Sequence, residues 1–120
     1  MAGTSERTLR RAARTGVWHP VALTAAELRP LALAFRARRA DGRVVPRLGV
    51  RLAARPDPGA RDERGRHAVA GPPAWVAERL GEYLRAGADG FVVNLDHAAP
   101  GLDARVRRFA AEVRPLLAAR

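Results

Sequence analysis

PAWVAERLGEYLRAGADGFVVNL, residues 73–95, reads as a helix, a glycine stop and an apolar strand with almost no loop between them. Val76, Leu80, Tyr83 and Leu84 recur at helical spacing and mark one apolar face. Pro73 stands where a first-turn proline is tolerated, because the amide it lacks would have no intrahelical partner there. Gly87 follows the last periodic residue, where a left-handed cap needs a residue without Cβ. Phe91-Val92-Val93-Asn94-Leu95 is nearly all apolar and does not alternate. Such a run predicts a strand covered on both faces, as in a parallel α/β sheet.

The same alternation extends toward the N-terminus. Thr4 or Ser5 is the expected N-cap of a helix over 5–14, with Leu9, Ala12 and Ala13 inward. Residues 16–20, GVWHP, predict a very short strand ended by proline. Thr24-Ala25-Ala26-Glu27 is a capping box, opening a helix to about Arg39 with Leu28, Leu31, Ala32 and Phe35 inward and a kink at Pro30. Asp41-Gly42 signals a turn. A strand over 44–53 follows, with Val45, Leu48, Val50 and Leu52 apolar and Arg47 and Arg51 wet. Residues 55–66, RPDPGARDERGR, are charged and rich in Pro and Gly, and predict a flexible loop too polar to pack. Residues 97–101 turn the chain into a last helix over 103–118, with Val106, Phe109, Ala110 and Val113 inward and Pro115 near its end. The expected order is α-β-α-β-α-β-α, about three parallel strands alternating with four helices. The first helix has no strand before it, so the chain reads as if entered partway through a fold.

Composition bounds the function. A chain of 120 residues predicts a single domain. Its apolar fraction of 48% allows a core, but much of that is alanine, which buries little area. The absence of cysteine excludes disulfides, thiolate metal sites and cysteine nucleophiles. No apolar run approaches the roughly 18 residues a membrane span requires, and the Arg-rich start lacks the apolar core of a secretory signal. We therefore expect a cytoplasmic protein with no membrane partner. The formal charge is +10 and every basic residue is Arg, which raises nucleic acid as a partner. The arginines are distributed through every predicted helix and form no block, so a solvated surface is the plainer reading of the charge.

AERLGEYLRAGADGFVVNLDH (77–97) and PGLDARVRRFAAEVRPLL (100–117) resemble the C-terminal end of the luciferase-like monooxygenases. The resemblance runs nearly end to end: Gly3-Thr4-Ser5, then LRRAARTG (9–16), then Val17-Trp18-His19-Pro20, then Thr24 to Leu28 follow the family's succession of turn, helix, short strand and helix start. Its members are TIM-barrel oxidoreductases that use flavin mononucleotide (FMN) or a deazaflavin. The resemblance therefore implies a C-terminal fragment of a TIM barrel, with a small organic substrate in the parent enzyme. A full barrel typically takes about 250 residues and eight strands, so the implied sector would not be catalytically complete alone. A non-catalytic, self-associating homo-oligomer is the alternative, because a few parallel strands leave open edges. A basic nucleic-acid-binding domain ranks third, since the chain has no helix-turn-helix spacing, RNP motif or aromatic platform.

Candidate site residues follow from the same resemblance. The turn matching Gly3, Thr4 and Ser5 holds the cofactor phosphate in the family, and a helix N-terminus with hydroxyl donors suits an anion. Arg7, Arg10 and Arg11 in the next two turns add positive charge; the competing reading of Thr4 and Ser5 is an ordinary helix cap. His19, Asn94 and Asp96 stand at strand ends, the face on which barrel active sites lie. For each of these a hydrogen-bonded turn or loop residue is the plainer alternative. The three histidines are far apart with no HExxH, so no metal is expected. No Gly-x-Ser-x-Gly elbow or GxGxxG fingerprint is present, and no catalytic residue is assigned.

Overall fold

Ser5 opens helix α1 (Glu6–Thr15): its hydroxyl oxygen accepts from the Thr8 amide at 3.2 Å, and Gly16 closes the helix at φ +85°. A computed structural model of the chain describes residues 5–21, 23–95 and 101–118. The described residues form two compact units, one from residues 1–47 and 83–92, the other from 48–82 and 93–120.

In the first unit, α1 buries Leu9 and Ala12 and exposes its arginines. Strand β1 (Val17–Trp18) follows, then helix α2 (Ala25–Arg38), then strand β2 (Arg43–Val44). β1 and β2 pair in parallel, Val17 opposite Arg43 and Trp18 opposite Val44, which makes β1-α2-β2 a crossover unit. The capping box of α2 is complete: the Glu27 amide donates to Thr24 Oγ1 at 3.2 Å and the Thr24 amide to Glu27 Oε1 at 3.0 Å. α2 runs through Pro30 as one helix, and its inner face carries Leu28, Ala32 and Phe35. Phe35 meets Trp18 with ring centroids 5.8 Å apart, both fully buried. Burial of side chains this size contributes about 1.5–3 kcal/mol each and anchors the unit. The Gly42 turn is held tight against Phe35: a Cβ there would lie 2.5 Å from the ring.

The second unit is built on strand β3 (Arg47–Leu52), whose Leu48 and Val50 are buried while Arg47 and Arg51 face solvent. Pro46 separates β2 from β3, so the single strand expected over 44–53 is two; proline has no amide to give a ladder. β3 pairs in parallel with strand β4 (Ala68–Gly71), from Gly49 opposite Ala68 to Leu52 opposite Gly71. β4 was not expected from the sequence: its four small residues carry no β-branched run, yet all four are buried. The polar segment before it folds back through antiparallel bridges, Asp57 to Ala70 and Arg61 to His67. Ala60 packs there with Ala68 and Ala70, so this polar segment does contribute a buried side chain.

Helix α3 (Pro73–Arg85) buries Val76, Ala77, Leu80 and Tyr83. Leu84, expected inward, is 36% exposed. Strand β5 (Val92–Asn94) lies beside β3 in the order β4-β3-β5. It is not covered on both faces: Val92 is 43% exposed and its two companions are half-buried. The apolar run correctly marks a strand, but at the end of a three-stranded sheet one of its flanks has no neighbouring strand among the described residues. The expected last helix is two, α4 (Leu102–Glu112) and α5 (Arg114–Ala118), broken at Val113. Pro115 can make no bond to the Ala111 carbonyl and its ring crowds that group. Only Val113 of the expected inner face is fully buried, and Val106 is 48% exposed. The described residues therefore show a mixed α/β fold of five short strands and five helices, with parallel pairing in two small sheets.

Candidate functional site

Ser5 is the described member of the expected phosphate turn; Gly3 and Thr4 lie outside the described residues, as does Asp96. The Ser5 hydroxyl lies 2.9 Å from the Thr8 hydroxyl as well as accepting from the Thr8 amide, and its carbonyl accepts from Leu9. This is the geometry of an ordinary serine cap. The turn bonds within α1, and among the described residues no arginine side chain joins it. It does not form a ring platform. Trp18 is fully buried, and Trp75 carries the Arg79 guanidinium 4.4 Å above its ring.

His19, directly after β1, is half-buried, and its Nδ1 is 3.0 Å from the Val45 carbonyl. A carbonyl only accepts, so Nδ1 is the donor in this bond. The flanking backbone is fixed as well: Val45 donates to the Trp18 carbonyl and Arg47 to the Pro20 carbonyl, each at 2.8 Å. His19 is thus held in one orientation by the strand ladder around it.

Asn94 ends β5. Its Oδ1 is buried and has no hydrogen-bond partner among the described residues. It borders a cavity of about 220 Å³ together with Val50, Arg61, Asp62, Glu63 and Ala68. Ser5 and His19 belong to the first unit and Asn94 to the second. The bonds of Ser5 stay within α1, and that of His19 goes to the chain before β3.

Two groups were missed in the sequence. Asp62 organises the turn beside the cavity: Oδ1 accepts from the amides of Arg64 at 2.8 Å and Arg66 at 2.9 Å, and Oδ2 from Arg66 Nε at 2.9 Å. Burial pushes its pKa upward, but the amides of Arg66 and Arg64 and the Arg66 guanidinium outweigh that and hold it below the ordinary 3.8. The one local signal was an aspartate three residues before Gly65, as a turn allows, in a segment whose composition otherwise indicates only a loop. The other group is Asp89, whose Oδ2 accepts from Arg36 at 2.6 Å and from the Val44 amide at 2.8 Å, tying α2 to β2.

The arginines of α1 form a further feature. Arg7, Arg10, Arg11 and Arg14 are all exposed and border one shallow groove of about 400 Å³. Their spacing of i, i+3, i+4, i+7 places them on one stripe of the helix. The arginines that appeared dispersed along the sequence are here gathered by helical periodicity. Among the described residues no group of three or more His, Asp or Glu has the arrangement of a metal site, and no helix is long and apolar enough to cross a membrane. Compared with known proteins, the chain matches no family model and no curated protein.

Proposed function

We propose that this chain supplies one sector of a luciferase-like oxidoreductase that works with FMN or a deazaflavin. The reading rests on one observation: a serine-capped helix leads into the short strand Val17–Trp18, followed by His19-Pro20, and a capped α2 returns the chain to a strand parallel with it. This is the succession that the sequence resemblance implies. In this reading the chain is a TIM-barrel sector, Gly3, Thr4 and Ser5 take the cofactor phosphate, and His19, Asn94 and Asp96 stand on the substrate side. When bound, the cofactor supplies the redox chemistry; the chain's own part is to hold the phosphate and to line a rim.

The test is a fluorescence titration of the 120-residue chain with FMN and with the deazaflavin, beside a variant carrying Thr4→Ala and Ser5→Ala. Saturable binding that the double variant loses is the expected result. A folded α/β circular dichroism spectrum with no binding of either cofactor would sink a cofactor role for the chain by itself.

A second reading, a non-catalytic chain that associates with itself, is favoured by exposed apolar side chains. Leu102, Val106 and Leu116 are 39%, 48% and 39% exposed on α4 and α5, and Val92 is exposed on β5.

A further inference from the structure

We propose that the arginine stripe of α1 is a sequence-independent binding surface for a nucleic acid backbone. Three arginines of the same unit have carboxylate partners inside the fold. Toward the end of α2, Arg36 pairs with Asp89 at 2.6 Å, Arg38 with Glu6 at 2.6 Å and Arg39 with Asp41 at 2.9 Å. These arginines are neutralised within the fold. Among the described residues, Arg7, Arg11 and Arg14 have no carboxylate partner. Arg10 has only a 3.9 Å approach to Glu6, whose carboxylate Arg38 already holds. Four like charges along one helix face repel one another and weaken the helix. Glu6 near Arg10 and the last-turn position of Arg14 offset part of that cost, and a row of anions outside would offset the rest.

The dimensions select the partner. From Arg7 to Arg14 the helix rises about 10.5 Å. A nucleic acid duplex carries one negative charge per about 1.7 Å of axis, so roughly six phosphates flank that length. Guanidinium forks bind phosphate oxygens in bidentate fashion. An anionic lipid surface fits less well. A helix that lies in a membrane must offer an apolar face, and here Leu9 and Ala12 are buried inside the unit. The stripe carries no aromatic residue, so it has neither a stacking platform nor an apolar wedge. Backbone contact without base reading is what remains.

The test is binding of a fluorescently labelled mixed-sequence DNA duplex by anisotropy over a salt series. Four phosphate contacts give a log–log slope of about −3.6, which is roughly a hundred-fold loss of affinity between about 50 and 200 mM salt. Replacing Arg7, Arg10, Arg11 and Arg14 together by Gln should remove most of that slope, and Arg11→Gln alone about one unit of it. The fourfold Lys replacement keeps the charge and should keep the slope, which separates lost contacts from a lost fold. A control with Arg29, Arg47, Arg55 and Arg64 replaced by Gln removes the same charge from exposed positions elsewhere. It should leave most of the affinity in place. Equal weakening by the two Gln sets would overturn the proposal, since binding would then follow overall charge. Binding to phosphatidylserine vesicles with no binding to the duplex would overturn it as well.

Discussion

Asp62 shows how much a single carboxylate can organise. Both of its oxygens are committed, one to two amides and the other to Arg66 Nε. An asparagine has only one acceptor oxygen, so Asp62→Asn would turn an amide NH₂ toward the Arg66 donor. We expect a loss of about 1–2 kcal/mol near neutral pH, read as a lower urea midpoint. The pH dependence has a definite sign. The folded pKa lies below the ordinary 3.8, so the stabilisation is present above that value and fades as pH falls through the lower folded value. Parent and variant should therefore converge on acidification; a gap that stays constant down to strongly acid pH would show that the carboxylate charge is not the cause. At this scale the sequence was partly legible. Ser5 as a cap could be read because a hydroxyl before an amphipathic run has few other uses. Asp62 was not, because its role depends on a tight turn whose partners lie within the same polar segment, where composition suggests only disorder.

At the scale of elements, the helices were the most readable part. Their caps and apolar faces are local, and the Thr24–Glu27 box is present as the sequence implied. Thr24→Ala should cost about 1 kcal/mol and lower the thermal midpoint by a few degrees. A variant that melts with the parent would mean α2 is held by Trp18 and Phe35 packing alone. The strands were harder to read. β4 consists of Ala68, Val69, Ala70 and Gly71, and its place beside β3 is set by non-local pairing that no periodicity in four residues can announce. Proline marked the element breaks unevenly: Pro46 splits a strand and Pro115 adjoins a helix break, while α2 continues through Pro30. An early proline forfeits one helical bond, whereas a strand proline removes a rung of the ladder itself.

For the molecule as a whole, the mixed α/β class was legible from the order of helices and strands. The degree of burial was not. Alanine-rich faces predict a core, but Val92, Val106 and Leu116 remain exposed because the described sheet and helices are too few to cover them. If these exposed side chains drive self-association, sedimentation should show mass rising with concentration. Val92→Lys with Val106→Lys should shift the chain toward monomer, and a parent that stays monomeric at every concentration would discard the self-association reading. The net charge of +10 acts against such assembly at low salt, so association should strengthen as salt is added. Duplex binding by the α1 stripe should weaken over the same salt series, and the two behaviours can be separated in one experiment.

The two compact units are interleaved along the chain: the first uses residues 1–47 and 83–92, the second 48–82 and 93–120. During synthesis, the first unit cannot be completed until the ribosome has passed the second unit's β4 and most of α3. Asp89, which ties α2 to β2, arrives after that detour. No single backbone cut can release either unit whole, and a nick in the 55–66 segment would divide both units between the two fragments, the first into 1–47 and 83–92 and the second within 48–82. Dissection of this chain by limited proteolysis would therefore yield nicked, associated fragments in place of two separable domains.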